Sequence, residues 1–169
     1  MKTGMIFWIA LCLLGCAPIQ TRVKRIPFPQ DEYEQLAKDG TGIVTGQAFL
    51  KTVGGDVKYA AGNQVFLIPV TSYSRQWYNV LCTQRQLIEG SDWRHDQYIK
   101  KQIADAEGRF TFVDIPAGSY YVSSLVLWAA PTPPYGYLGS QGGVVVRCIE
   151  VKEGATTQAM VTQYCGPLR

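Results

Sequence analysis

The sequence predicts an all-β fold, a β-sandwich of about seven strands with one helix inserted near residues 72–89. Three observations lead there. Short runs of β-branched and aromatic residues, bounded by Gly, Pro and Asn clusters, recur between residues 42 and 163. Gly and Pro together number 17 + 9 = 26 and aromatics make up 12% of the chain, a loop-rich and aromatic-rich balance that suits secreted β domains. Residues 72–88 alone change period, spacing Tyr73, Trp77, Leu81 and Ile88 as a helix does.

In chain order, "DEYEQLAK" (31–38) has the length for one or two helical turns before the break at Gly40 and Gly42. "GIVTGQAFLKT" (42–52) alternates and carries β-branched residues, so it reads as a strand. "VGGDVKYAAGN" (53–63) is turn material, and "QVFLIPV" (64–70) is a short apolar strand that Pro69 stops. After the helical segment comes "GRFTFVDI" (108–115), which sends Phe110, Phe112 and Ile115 toward the core. Pro116-Ala117-Gly118 turns the chain into "SYYVSSLVLWA" (119–129), apolar on both sides and therefore a central strand. "GGVVVRCIEV" and "TTQAMVTQYC" flank residues 152–155 as a hairpin would. The inserted helix is expected to cover one end or edge of the sandwich.

The N-terminus is a separate unit. Lys2 precedes an apolar run from Met5 to Leu14, about half of the roughly 20 residues a helical membrane span needs. A charged start, a short apolar stretch and a small residue describe a signal peptide. Leu13-Leu14-Gly15-Cys16 resembles the bacterial lipoprotein lipobox. The resemblance implies cleavage between Gly15 and Cys16, lipidation of Cys16 with palmitate-class chains, and a membrane anchor of more than one acyl chain, which holds stably. Ala17 stands where Asp would retain such a protein at the inner membrane, so the expected address is the outer membrane, facing the periplasm. Residues 1–15 are then the signal peptide, 16–40 a lipidated tether and 41–165 the folded domain. Arg22, Lys24 and Arg25 in the tether could meet anionic headgroups. Cleavage leaves 169 − 15 = 154 residues, and loss of Lys2 takes the formal charge from +3 to +2. That balance, with no basic stripe, excludes a nucleic-acid binder.

The stretch from Asp105 to Val122 reads D-A-E-G-R-F-T-F-V-D-I-P-A-G-S-Y-Y-V. With the earlier Gly42-Ile43-Val44-Thr45-Gly46 and Ala61-Gly62-Asn63-Gln64-Val65, it resembles the carboxypeptidase regulatory-like domains, whose fold is a transthyretin-like (prealbumin-like) sandwich. The resemblance spans about residues 41–163 and departs at the long insert 71–104. The motif residues all serve folding. Asp105 and Gly108 build a turn, and Phe110 and Phe112 point inward. The motif therefore predicts a fold and no reaction.

Candidate chemistry is sparse. His95 is the single histidine, so no site of two histidines can form. Between Asp92 and Asp96 it reads as surface decoration. Asp105, Glu107 and Asp114 lack calcium-loop spacing and read as turn-forming acids. No catalytic residue, metal site or cofactor is expected. Trp128, Tyr135 and Tyr137, around the proline-rich "PTPPYGYL" (131–138), form the candidate binding surface, with Trp77, Tyr78 and Trp93 as contributors. Of the five cysteines, Cys12 is removed and Cys16 carries lipid, leaving Cys82, Cys148 and Cys165 for one disulfide and one thiol. A regular hairpin would set Cys148 opposite Ala159, too far from Cys165, so Cys82–Cys165 is the favoured pair. The function expected is a non-enzymatic, lipid-anchored envelope module that meets an envelope protein or glycan. The alternatives are a carbohydrate- or peptidoglycan-binding module using the Trp/Tyr loops, and an accessory to, or remnant of, an envelope hydrolase.

Overall fold

The computed structural model describes residues 21–132, 134 and 136–166. The signal peptide, Cys16 and Tyr135 lie outside the described residues. The rest is a two-sheet β-sandwich. One sheet holds β1 (Gly42–Lys51), β2 (Val57–Tyr59), β5 (Arg109–Ile115) and β8 (Thr156–Val161). The other runs in the order β4 (Lys100–Ile103), β3 (Gln64–Pro69), β6 (Gly118–Thr132), β7 (Tyr137–Val151) and β9 (Gln163–Gly166). The described residues hold nine strands where about seven were expected: β2 forms inside the supposed turn 53–63, β4 lies in the insert, and the run from Thr156 to Cys165 divides into β8 and β9.

The main core lies between the sheets. Val44, Ala48, Val65, Leu67, Phe110, Phe112, Val122, Val126, Val145 and Val161 form one buried cluster, each on the inward face of its strand. Ile115 joins them by a device that simple alternation does not give. Gly42 pairs with Ile115 but Val44 with Phe112, so β5 carries an extra residue there. Asp114 sits at φ +56 in this bulge, and the parity shift turns Ile115 inward in place of Asp114. At Gly46 a Cβ would collide with the Ala159 carbonyl oxygen and the Phe110 ring. Glycine there lets β8 close on β1 in parallel register.

The expected hairpin at 152–155 does not form. β8 leaves β7, crosses to the other sheet and pairs with β1, while β6 and β9 flank β7. Glu153 secures the crossing: its carboxylate accepts the Thr41 N–H and hydroxyl and the Ala117 N–H. The hairpin register expected to separate Cys148 from Cys165 is therefore absent, yet the favoured pair forms. Cys82 is bonded to Cys165, and Cys148 is an exposed free thiol.

The insert opens with α2 (Ser72–Tyr78), capped by a reciprocal Thr71–Ser74 box, and continues as a π-turn over Asn79–Thr83. It ends there and not at residue 89, since Arg85 turns to φ +57 and Ile88 leaves the helix to make a parallel bridge with Val23. Nor does the insert cap an end of the sandwich. It lies on the outer face of the five-stranded sheet, where Ile68, Cys82, Tyr121, Val146 and Cys165 make a second core. This explains why β6 is apolar on both sides: one face meets each core.

Candidate functional site

The N-terminal segment is not a free tether after residue 22. Val23 N–H donates to Leu87 O (2.8 Å) and Glu89 N–H to Val23 O (2.9 Å). Gln76 clamps the same segment from the helix, accepting the Ile26 N–H and donating to Lys24 O. Phe28 stacks on Tyr33 of α1 (Gln30–Glu34), with ring centroids 4.6 Å apart. Arg25 is engaged as well: its Nε donates to Glu89 O, and its guanidinium lies 4.7 Å above the Tyr73 ring. Arg25 is therefore packed against the fold, neither a solvated linker residue nor a side chain free to reach headgroups.

His95 is also not on the surface. It starts a 3-10 turn (His95–Tyr98) and is 6% exposed. Thr71 Oγ1 donates to Tyr33 Oη (2.9 Å), which frees the phenolic proton for His95 Nδ1 (2.8 Å). Burial, reinforced by the nearby Arg25 charge, pushes the imidazole down to about 4, so the ring is neutral near pH 7 and carries its proton on Nε2. Burial likewise pushes the Tyr33 phenol up to about 12. Asp92, close by in sequence, pairs with Arg94, whose hydrogen bonds hold its carboxyl down at about 2.

Between the outer face of the five-stranded sheet, the insert and the N-terminal segment lies a groove of about 630 Å³. That is room for a sugar unit or more, within the range of ligand sites. Phe66 and Ile68 of β3, Leu125 of β6 and Val144 of β7 supply an apolar floor, and Trp77 and Leu81 stand on the insert side. Polar groups come from Asn63, Gln64, Ser91 and Ser123, with Arg22, Arg25 and His95 on the N-terminal and insert side, while the Ser124 hydroxyl, on the inward side of β6, donates to Gln64 O. An aromatic wall, an apolar floor and scattered amides and hydroxyls suit a hydroxylated ring, whose two faces are apolar and whose rim is polar.

The candidate surface expected around the proline-rich loop is differently built. β6 and β7 extend as a long ribbon, pairing through Thr132 and Tyr137. Trp128 faces Gln141 across it and packs half-buried on the main core, where Gly142, at φ +103, lets the strand pass close to the indole. Tyr137 lies four residue pairs away and is 76% exposed, so the ribbon does not bring Trp128 and Tyr137 together. Of the other aromatics, Tyr78 stacks on Tyr121 and Trp93 is exposed, while Trp77 lines the groove. Sequence reasoning missed Phe66, Arg25 and the groove itself. The available signal was the aromatic pair Phe28 and Tyr33 in a stretch read as linker, since linkers have no use for two stacking rings.

No protein-family model matches the chain, and no curated protein matches it. A solved structure from Pseudomonas aeruginosa, described as a "putative carbohydrate binding protein", is similar in fold at a TM-score of 0.72 and 27% sequence identity. The match covers 82% of this chain and 99% of that one.

Proposed function

We propose that this protein is a lipid-anchored glycan-binding module of the bacterial cell envelope, holding its sugar in the groove beneath the insert. The observation that carries the reading is the lining of that groove: Trp77 and Phe66 beside Asn63, Gln64 and Ser123 on a sheet face that the insert leaves partly open. The similar Pseudomonas aeruginosa protein supports it by its description. The anchor rests on the Leu13–Cys16 lipobox, and the Asp105–Val122 motif supports a carboxypeptidase regulatory-like sandwich. Binding without turnover is favoured because the one histidine is buried, neutral and committed to Tyr33.

The test is retention on immobilised peptidoglycan fragments and surface polysaccharides. Trp77→Ala is expected to weaken retention about tenfold, the worth of one stacking aromatic, while Tyr137→Ala leaves it unchanged. Near-ultraviolet circular dichroism checks that both variants remain folded. Retention that survived Trp77→Ala and vanished with Tyr137→Ala would move the site to the ribbon.

A further inference from the structure

The groove carries charge of one sign. Arg22 and Arg25 line it, no Asp or Glu does, and His95 is neutral near pH 7. Among the described residues neither arginine forms an ion pair: the four ion pairs present involve Lys58, Arg94 and Arg109. Glu89 is adjacent, but its carboxylate accepts the Arg25 backbone N–H (3.1 Å), and only its carbonyl oxygen meets the guanidinium, at Nε.

The remaining edge of Arg25 is unsatisfied. Its Nη1 is buried and has no hydrogen-bond partner among the described residues. A guanidinium stays charged, and a buried N–H without an acceptor is costly to keep. The Tyr73 face stabilises the cation but accepts none of its in-plane N–H groups. The fork is held in place by the Glu89 carbonyl and the Tyr73 ring, so an incoming acceptor meets a preorganised donor.

We infer that the groove selects an acidic glycan, with a sugar carboxylate seated on the free edge of Arg25 and Arg22 supporting it from the rim. This rests on the glycan-binding reading and names the class of sugar. Carboxylate matches the guanidinium fork in plane, and a charge-assisted hydrogen bond away from bulk water outweighs one to a neutral hydroxyl.

The test is calorimetric titration of the full chain, at low salt, with galacturonate, glucuronate and N-acetylmuramate oligosaccharides, each against its methyl ester and against neutral oligosaccharides. For at least one acid the affinity is expected to exceed that of its ester at least tenfold. Arg25→Gln should bring that ratio close to one, and Arg22→Gln, at an exposed position, should lower it a few-fold. The ratio in the unaltered protein needs no variant, so loosening of the N-terminal segment by Arg25→Gln would not obscure the result. Equal binding of acid and ester would overturn the inference and leave the glycan reading standing. No binding by any acidic or neutral sugar would overturn both.

Discussion

Protonating His95 would break the buried chain Thr71–Tyr33–His95 that ties α1 and the N-terminal segment to the insert. The folded protein holds this imidazole at about 4, below its ordinary 6.5. A depressed histidine stabilises the fold fully above pH 6.5, and that contribution is lost as pH falls toward 4. The expected loss is of order 2 kcal/mol. Urea midpoints measured between pH 7 and 4 should fall across that window, and His95→Gln should flatten the fall. A midpoint that stayed level down to pH 4.5 in the unaltered protein would show that His95 is not held neutral by burial. Residues whose role is local were legible in the sequence. Asp105 caps its own turn by accepting the Glu107 and Arg109 N–H groups, as the D-x-x-G pattern implies. His95 and Arg25 were not, because they take their surroundings from segments 62 and 64 residues away, and although Ile115 was placed toward the core, the bulge that turns it there was not legible.

Among the elements, the longer strands followed from composition, while the short β2 and β4 and the pairing did not. The run "TTQAMV" alternates as any half-buried strand does, and nothing in it distinguishes an antiparallel partner in β7 from a parallel one in β1. The small residues Gly46 and Ala159, facing each other across β1 and β8, decide it through their close approach. The helical stripe of the insert was legible as far as Leu81. Beyond it, Ile88 is recruited by Val23, a partner that no local period reveals. The disulfide fastens the insert to β9 across 83 residues of sequence. By loop-closure entropy, losing it costs about 4 kcal/mol. A Cys82→Ser/Cys165→Ser double variant should therefore melt far below the parent, with the insert the first region to lose hydrogen-exchange protection. Unchanged melting would show that the bond does not restrain the unfolded chain as described.

On the scale of the whole molecule, the disulfide places the folded domain in an oxidising compartment, outside the cytoplasm. Among the described residues no helix is long and apolar enough to cross a membrane. With a lipidated Cys16 the chain would stay with the membrane by its acyl chains, and the docking of residues 23–28 would leave only about half a dozen residues between the lipid and the folded body. The groove, built partly from that same segment, would then sit close to the membrane face. Cys16→Ala is expected to abolish labelling by radioactive palmitate and to move the protein from the membrane fraction to the soluble envelope fraction. Continued labelling would exclude Cys16 as the acylated residue.

The groove under the insert, proposed as the sugar site, can be located residue by residue. Nuclear magnetic resonance of the isotopically labelled protein, titrated with an oligosaccharide that the protein retains, does this. The Trp77 indole N–H and the amides of Phe66, Ser123, Ser124 and Val144 should shift together and saturate together. Shifts confined to Tyr137, Leu138 and their neighbours on the β6–β7 ribbon, with the groove silent, would place the sugar on the ribbon and not in the groove.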